Sequence, residues 1–240
     1  MPDDQTQLIN RFLATQHPLG RLRLHTYAKC KRAAWQTTLF ITTKAKRAFD
    51  IIISATALLC LLPVFGMIAL LIKLEDRGPI MFPQTRVGKF GRLFKMYKFR
   101  SMCLNAEEKM KILLAQNQHS QGITFKIKND PRVTKVGKWL RKFSLDELPQ
   151  FYNVLNGTMS IVGPRPPVPR EVAQYTMADR RRLAITPGIT CLWQIGGRSE
   201  IDFSGQVELD VLYIESQSFW GDVKILFKTI PAVLSSKGAY

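Results

Sequence analysis

The sequence predicts an α+β protein, mostly helical: monotopic, with a re-entrant kinked membrane helix, interfacial amphipathic helices and a small β-hairpin. Three observations predict it. Ile51 to Ile72 is a run of twenty-two residues without a charge, interrupted by Pro63. Pro79 to Met102 carries strand-forming residues on both sides of Val87-Gly88-Lys89-Phe90-Gly91, whose glycines suit a hairpin turn. Val133, Val136, Leu140 and Phe143 recur at helical spacing, and Val223 to Leu234 is similarly amphipathic.

In chain order, residues 1–45 are polar and basic, and read as an extension that is partly an interfacial helix. The anchor occupies 46–76. A helix rising ~1.5 Å per residue needs about 20 apolar residues to cross ~30 Å of hydrocarbon, and Ile51 to Ile72 meets that length. Charge opposes a simple crossing. Residues 1–47 hold nine Lys or Arg against two acids, and residues 73–240 hold twenty-six against fifteen. Basic flanks favour the cytoplasmic side, so both ends belong on the same face. A helix that enters, bends and returns satisfies both; a straight single-pass anchor with a tolerated proline is the alternative. Pro63 supplies the bend, because it has no N–H and clashes with the preceding turn, and Gly66 loosens the same region. Ser54 and Thr56 are too near the start of the run to satisfy a carbonyl freed at Pro63.

Residues 77–240 read as one domain on the cytoplasmic face. After the hairpin, Leu104 to about Gln118 has good helix composition, and Asn129-Asp130-Pro131 reads as a turn and helix start. The helix that follows carries Lys135, Lys138, Arg141 and Lys142 around its apolar stripe. Such a helix lies on an anionic membrane or packs on a core like any other.

The net charge of +17 implies anionic partners: phosphorylated substrates, anionic lipid or nucleic acid. The anchor favours the first two. Four scattered cysteines and three histidines give neither a disulfide framework nor metal-ligand spacing for zinc. Neither G-x-x-x-x-G-K-[ST] nor G-x-G-x-x-G occurs, so those nucleotide-binding loops are unsupported.

The chemical candidates are carboxylates and arginines. Ser144-Leu145-Asp146-Glu147-Leu148-Pro149-Gln150 puts two adjacent acids among many cations. Ser144 and Glu147 fit a capping box, so the acids could simply start a helix. An ionised Asp at such a position can also attack phosphorus, while a neighbouring carboxylate holds Mg²⁺. In Gly163-Pro164-Arg165-Pro166-Pro167 the prolines stiffen the backbone and fix where Arg165 points, which suits either a phosphate clamp or a surface turn with a solvated arginine. Arg86, Lys98 and Arg100 form a second cationic cluster.

From Lys44 to Tyr240 the ordered motifs resemble the bacterial sugar transferases, the monotopic polyprenyl-phosphate phosphoglycosyl transferases, and within them the exopolysaccharide-initiating branch. The motifs are Lys46-Arg47-x-x-Asp50, then Gly78-Pro79 with Phe82, Gln84, Arg86, Gly88 and Gly91, then Tyr97-Lys98-Phe99-Arg100-Ser101-Met102. Asp130-Pro131-Arg132-Val133-Thr134, the Asp146-Glu147 stretch, Ser160 to Pro166, Pro187-Gly188-Ile189-Thr190, Leu192-Trp193-Gln194 and Gly197-Arg198-Ser199 complete the series.

The resemblance implies a re-entrant helix broken at Pro63 at the bacterial inner membrane, with catalysis on its cytoplasmic face. It implies that Asp146 attacks the sugar-linked phosphate of a UDP-sugar, releasing UMP, and that polyprenyl (undecaprenyl) phosphate then removes the sugar-1-phosphate. Asp146 and Glu147 hold Mg²⁺ in this scheme, and Arg165, Arg86, Lys98, Arg100 and Arg198 meet substrate. Partners are then the UDP-sugar, the polyprenyl phosphate and anionic lipid, without nucleic acid, and a homodimer is left open. The competing classes are a membrane-anchored nucleic-acid-binding protein and an inactive scaffold. The first lacks a recognition module, and the intact dyad and Arg165 argue against the second. Leu62, Cys191 and Gly196 depart from the family's usual Ser, Gly and Ser.

Overall fold

The computed structural model describes residues 12–13, 16, 18–109, 130–197 and 201–235. The chain divides into two units, Met1–Lys46 and Arg47–Tyr240. Helix α1 runs from Pro18 to Asp76. It bends by 59° between Cys60 and Leu62. The break falls just before Pro63, whose ring collides with the carbonyl four residues back and cannot accept the helix's register. No single helix among the described residues is long and apolar enough to cross a membrane; the bent pair passes that test together. Ser54, buried in the first arm, has a hydroxyl with no partner among the described residues.

Strands β1 (Met81–Val87) and β2 (Leu93–Phe99) form the expected antiparallel hairpin, in register from Met81 opposite Phe99 to Val87 opposite Leu93. Its turn uses left-handed backbone at Phe90 and Gly91. Helix α2 (Lys135–Lys142) follows. It begins later than the Asn-Asp-Pro signal suggests. Asp130 instead folds back on Arg132, and Thr134 is the N-cap, accepting from the Gly137 N–H at 2.9 Å. Of the helix expected over Leu104 to Gln118, only a turn at 106–109 lies within the described residues.

A short 3₁₀ turn (Leu145–Glu147) leads into α3 (Gln150–Leu155). Strands β3 (Ser160–Val162) and β4 (Gly188–Thr190) pair in parallel. The sequence reading did not anticipate this pair, because three-residue strands carry no readable alternation. Between them lie α4 (Pro169–Val172) and a 3₁₀ turn (Asp179–Leu183). Helices α5 (Leu192–Gly196), α6 (Phe203–Glu215) and α7 (Phe219–Ser235) complete the chain; α7 contains the amphipathic Val223 to Leu234.

Two cores attach the bent helix to the rest of its unit. Ile68 and Ile72 of the second arm pack with Phe99 and Leu140, and Leu145 and Leu148 close over them. Each such side chain contributes about 1.5–3 kcal/mol when fully buried. The first arm is pinned by polar groups. Arg47 donates to the Val154 and Leu155 carbonyls at 2.6 and 2.7 Å, so it caps the end of α3. Asp50 accepts the Ile161 N–H at 3.1 Å. Ile53 reaches the second core, made of Met96, Val154, Ile161, Val162, Tyr213 and Ile225. The opposite side of the bent helix leaves Ile52, Leu59, Leu62, Leu70 and Leu74 exposed.

Candidate active site

Asp146 and Glu147 sit in the turn between α2 and α3. The turn is fixed on its apolar side, where Leu145 and Leu148 pack on the second arm of α1. Its entry is fixed by Ser144, which takes a left-handed backbone with φ 54° and caps nothing with its side chain. The capping box suggested by the sequence is therefore absent. α3 starts only at Gln150, and the Glu147 carboxylate reaches across to the hairpin instead of back to Ser144.

Glu147 Oε1 accepts from Lys98 Nζ at 2.7 Å and from Arg165 Nη2 at 3.1 Å. Burial pushes the Glu147 carboxyl up, but the Lys98 ammonium and Arg165 guanidinium outweigh it and hold the group well below the usual carboxylate range. Both bonds end on Oε1, leaving Oε2 without a partner among the described residues. Asp146 differs. It is 7% exposed, and its carboxylate accepts no hydrogen bond from a described residue. Burial raises its pKa, opposed first by Lys98, while the Glu147 charge adds to the rise and Arg141 and Arg165 reduce it. The result is a carboxylate surrounded by cations and bonded to none of them.

Each cation has its own support. Lys98 projects from β2, whose outer edge is held by Asn153 of α3. Asn153 Oδ1 accepts the Tyr97 N–H at 2.9 Å, and its Nδ2 donates to the Lys95 carbonyl at 2.7 Å, imitating a neighbouring strand. Arg165 is set by the β3–β4 pair. Gly163 donates its N–H to the Thr190 carbonyl, and Gly188 donates to the Pro164 carbonyl. A Cβ at Gly163 would lie 2.7 Å from the Thr186 carbonyl oxygen, so only glycine allows this approach. Arg86 donates to the Pro166 carbonyl at 2.8 Å and to Gln84 Oε1 at 2.7 and 3.1 Å. Burial, then Arg165, pushes its guanidinium down to about 10, still protonated at neutral pH.

The structure thus brings Asp146, Glu147, Lys98, Arg165 and Arg86 together. It does not bring Arg100 to them. Arg100 is buried in a fork on Asp76, at 2.6 Å to Oδ2, and donates to the Pro79 carbonyl, so it ties β2 to the end of α1. Arg198 lies outside the described residues. Sequence reasoning treated Arg141 as one charge on a basic helix face. The structure turns it inward: its Nε donates to Ser101 Oγ at 2.9 Å, and its charge acts on Asp146. The available signal was its place five residues before Asp146, directly after the buried Leu140. Near the two acids stand four cations, an excess positive charge that suits a diphosphate. Among the described residues no group of three or more His, Cys, Asp or Glu could hold a metal.

The family model for bacterial sugar transferases matches residues 41–236. The chain is 49% identical over 199 residues to a galactosyl transferase of Streptococcus agalactiae, covering 81% of this chain and 43% of that protein. It is 46% identical to an undecaprenyl-phosphate galactose phosphotransferase of Salmonella typhimurium, covering 81% of this chain and 41% of that one. It is 43% identical to the exopolysaccharide production protein ExoY of Rhizobium meliloti, covering 82% of this chain and 88% of the relative. The chain therefore spans less than half the length of the first two relatives. The chain belongs to the bacterial sugar transferase family.

Proposed function

We propose that this protein is a phosphoglycosyl transferase that moves a hexose-1-phosphate from a UDP-sugar to undecaprenyl phosphate at the cytoplasmic face of the bacterial inner membrane. The single observation that carries the reading is Asp146: a nearly buried carboxylate, free of hydrogen bonds from described residues, under the charges of Lys98, Arg141 and Arg165. A structural carboxylate in that setting would be bonded to one of them. A nucleophile must keep its lone pairs available.

In the proposed reaction an Asp146 oxygen attacks the sugar-linked phosphorus, and the bond to the UMP phosphate breaks. UMP leaves with the bonding electrons, and a phosphosugar-aspartyl intermediate remains. An oxygen of undecaprenyl phosphate then attacks the same phosphorus and releases the Asp146 carboxylate. One diphosphate link replaces another, so the chemistry needs positioning and charge neutralisation more than driving force. Lys98, Arg141, Arg165 and Arg86 supply fixed positive charge, and burial keeps it effective.

Mg²⁺ fits the residues present. Glu147 Oε2 and the Asp146 carboxylate are hard oxygen donors without described partners. A two-carboxylate set suits an ion that takes its remaining ligands from phosphate and water. When bound, Mg²⁺ would neutralise charge on the diphosphate. The relatives' printed sugars are galactose and, in a protein of Escherichia coli 44% identical to this chain, glucose; both are candidates here. The bend near Pro63 supports a re-entrant anchor with both flanks in the cytoplasm, its exposed leucines and isoleucines facing lipid. That anchor carries the turn holding Asp146, because Ile68 and Ile72 pack on Leu145 and Leu148. An acceptor whose phosphate lies at the membrane surface is then within reach.

The test uses membranes containing the protein, Mg²⁺, undecaprenyl phosphate and radiolabelled UDP-glucose or UDP-galactose. Label should enter the organic phase as UMP is released. Release of UDP instead means direct glycosyl transfer and ends this reading.

A further inference from the structure

We infer that a small cavity among α5, α6 and α7 binds the phosphate headgroup of an anionic phospholipid, at a site separate from Asp146 and its cations. The cavity has a volume of about 230 Å³. Its floor is apolar: Leu192 and Ile195 of α5, Ile225 of α7 and the ring of Tyr213 from α6. The Tyr213 hydroxyl is already engaged, donating to Asp222 Oδ1 at 2.7 Å. Its rim is polar and exposed: Ser216 and Ser218 from the α6–α7 connection, and Lys224 and Lys228 from α7. None of these residues belongs to the Asp146 site.

The rim has donors to offer. Ser218 Oγ accepts the Gly221 N–H at 3.1 Å, which leaves its own proton free to donate. Lys224 and Lys228 stand one helical turn apart, so their ammonium groups flank the same opening. Neither makes an ion pair with a described residue. Two ammonium groups and a hydroxyl over an apolar floor suit an anion that carries a hydrocarbon chain.

The surroundings place this opening at the depth of lipid headgroups. At about 100° per residue, Trp220, Val223, Phe227, Ile230 and Leu234 share one face of α7 with no charge among them, and Lys224 and Lys228 edge that face on the side of the cavity. Trp220 is 77% exposed and Phe227 68%, so the face is uncovered. At the start of α7, Phe219 meets Phe49 edge-on, with ring centres 5.4 Å apart. Phe49 stands two residues before the uncharged run of the anchor. The cavity mouth is therefore level with the point where the anchor enters the membrane, and the inference rests on that anchor reading. A free anion would satisfy the lysines and leave the floor bare. An uncharged lipid would cover the floor and leave the lysines unpaired. An anionic phospholipid does both.

The test counts lipids bound to the full-length, detergent-solubilised protein by native mass spectrometry, with phosphatidylglycerol or phosphatidylcholine added in increasing amounts. One phosphatidylglycerol should be retained in preference to phosphatidylcholine. Each lysine near an anionic lipid strengthens binding about fivefold, so the double variant Lys224→Gln, Lys228→Gln should bind phosphatidylglycerol roughly 25-fold more weakly. The double variant Lys135→Gln, Lys138→Gln removes the same charge from exposed positions on α2 and should keep the wild-type affinity. Equal retention of the two lipids would overturn the inference. So would an equal loss in both double variants, which means adhesion to basic surface at large, or displacement of the lipid by inorganic phosphate, which means a site for a free anion. Carbonate extraction of membranes tests the anchor separately. Release of the wild-type protein refutes the anchor reading and this inference with it, whereas a retained protein without lipid preference refutes this inference alone.

Discussion

Replacing Lys98 with methionine keeps the aliphatic stem and removes the ammonium that meets Glu147 at 2.7 Å. The two side chains are only 15% and 17% exposed, so solvent screens the pair poorly. Removing one partner of a buried pair costs about 3–5 kcal/mol. Arg165 remains on Glu147 at 3.1 Å, which puts the expected loss near the lower end, ~3 kcal/mol. For a folded unit of this size that corresponds to roughly 6–12 °C in melting temperature. The same substitution acts on Asp146, whose pKa burial raises and Lys98 opposes more than any other cation. A carboxyl with a raised pKa is ionised, and able to attack, only at higher pH. Loss of Lys98 raises it further, so the acid limb of kcat/KM should move to higher pH. The assays are thermal unfolding in detergent and kcat/KM against pH with a UDP-sugar donor. A variant with the wild-type melting temperature and an unmoved acid limb would refute the electrostatic account of the site.

Three further outcomes follow from particular residues. Ser144→Gly should stabilise the protein by about 1 kcal/mol, since glycine holds φ 54° without the strain a side chain brings, and a lower melting temperature would contradict this. Gly137→Ala should destabilise by about 1–3 kcal/mol or more, because its Cβ would lie 2.0 Å from the Ser101 carbonyl oxygen, and the loss is read by thermal unfolding. Arg47→Met should cost about 1.5–3 kcal/mol for each of two charged hydrogen bonds to α3, measurable as earlier proteolysis at the Gly157 turn.

The hairpin was legible because two alternating segments flank a glycine-marked turn, and its register follows from that turn. The bend was legible because a proline in an uncharged run has one mechanical consequence. Asp146, Glu147, Lys98, Arg86 and Arg165 were named from local chemistry and family motifs, and they converge. What the sequence hid was long-range. Arg100 belongs to the same cationic motif as Lys98, yet Asp76 captures it, and no local pattern pairs residues twenty-four apart. Asn153 reads as an ordinary polar residue in a helix, but it serves as a surrogate strand for β2. Ser144 and Glu147 fit a capping pattern whose glutamate is taken by Lys98 and Arg165 instead. In each case a partner distant in sequence outweighed a local propensity worth about 1 kcal/mol.

The central claim is that Asp146 becomes covalently attached to the phosphosugar. The most direct measurement incubates the protein with Mg²⁺ and a UDP-hexose in the absence of undecaprenyl phosphate, quenches in acid and records the intact mass. The account predicts an added hexose phosphate on the peptide containing Asp146, with matching release of UMP and no adduct in Asp146→Asn. An unmodified protein that nonetheless transfers sugar phosphate once the lipid is supplied, or an adduct on any other residue, would contradict it.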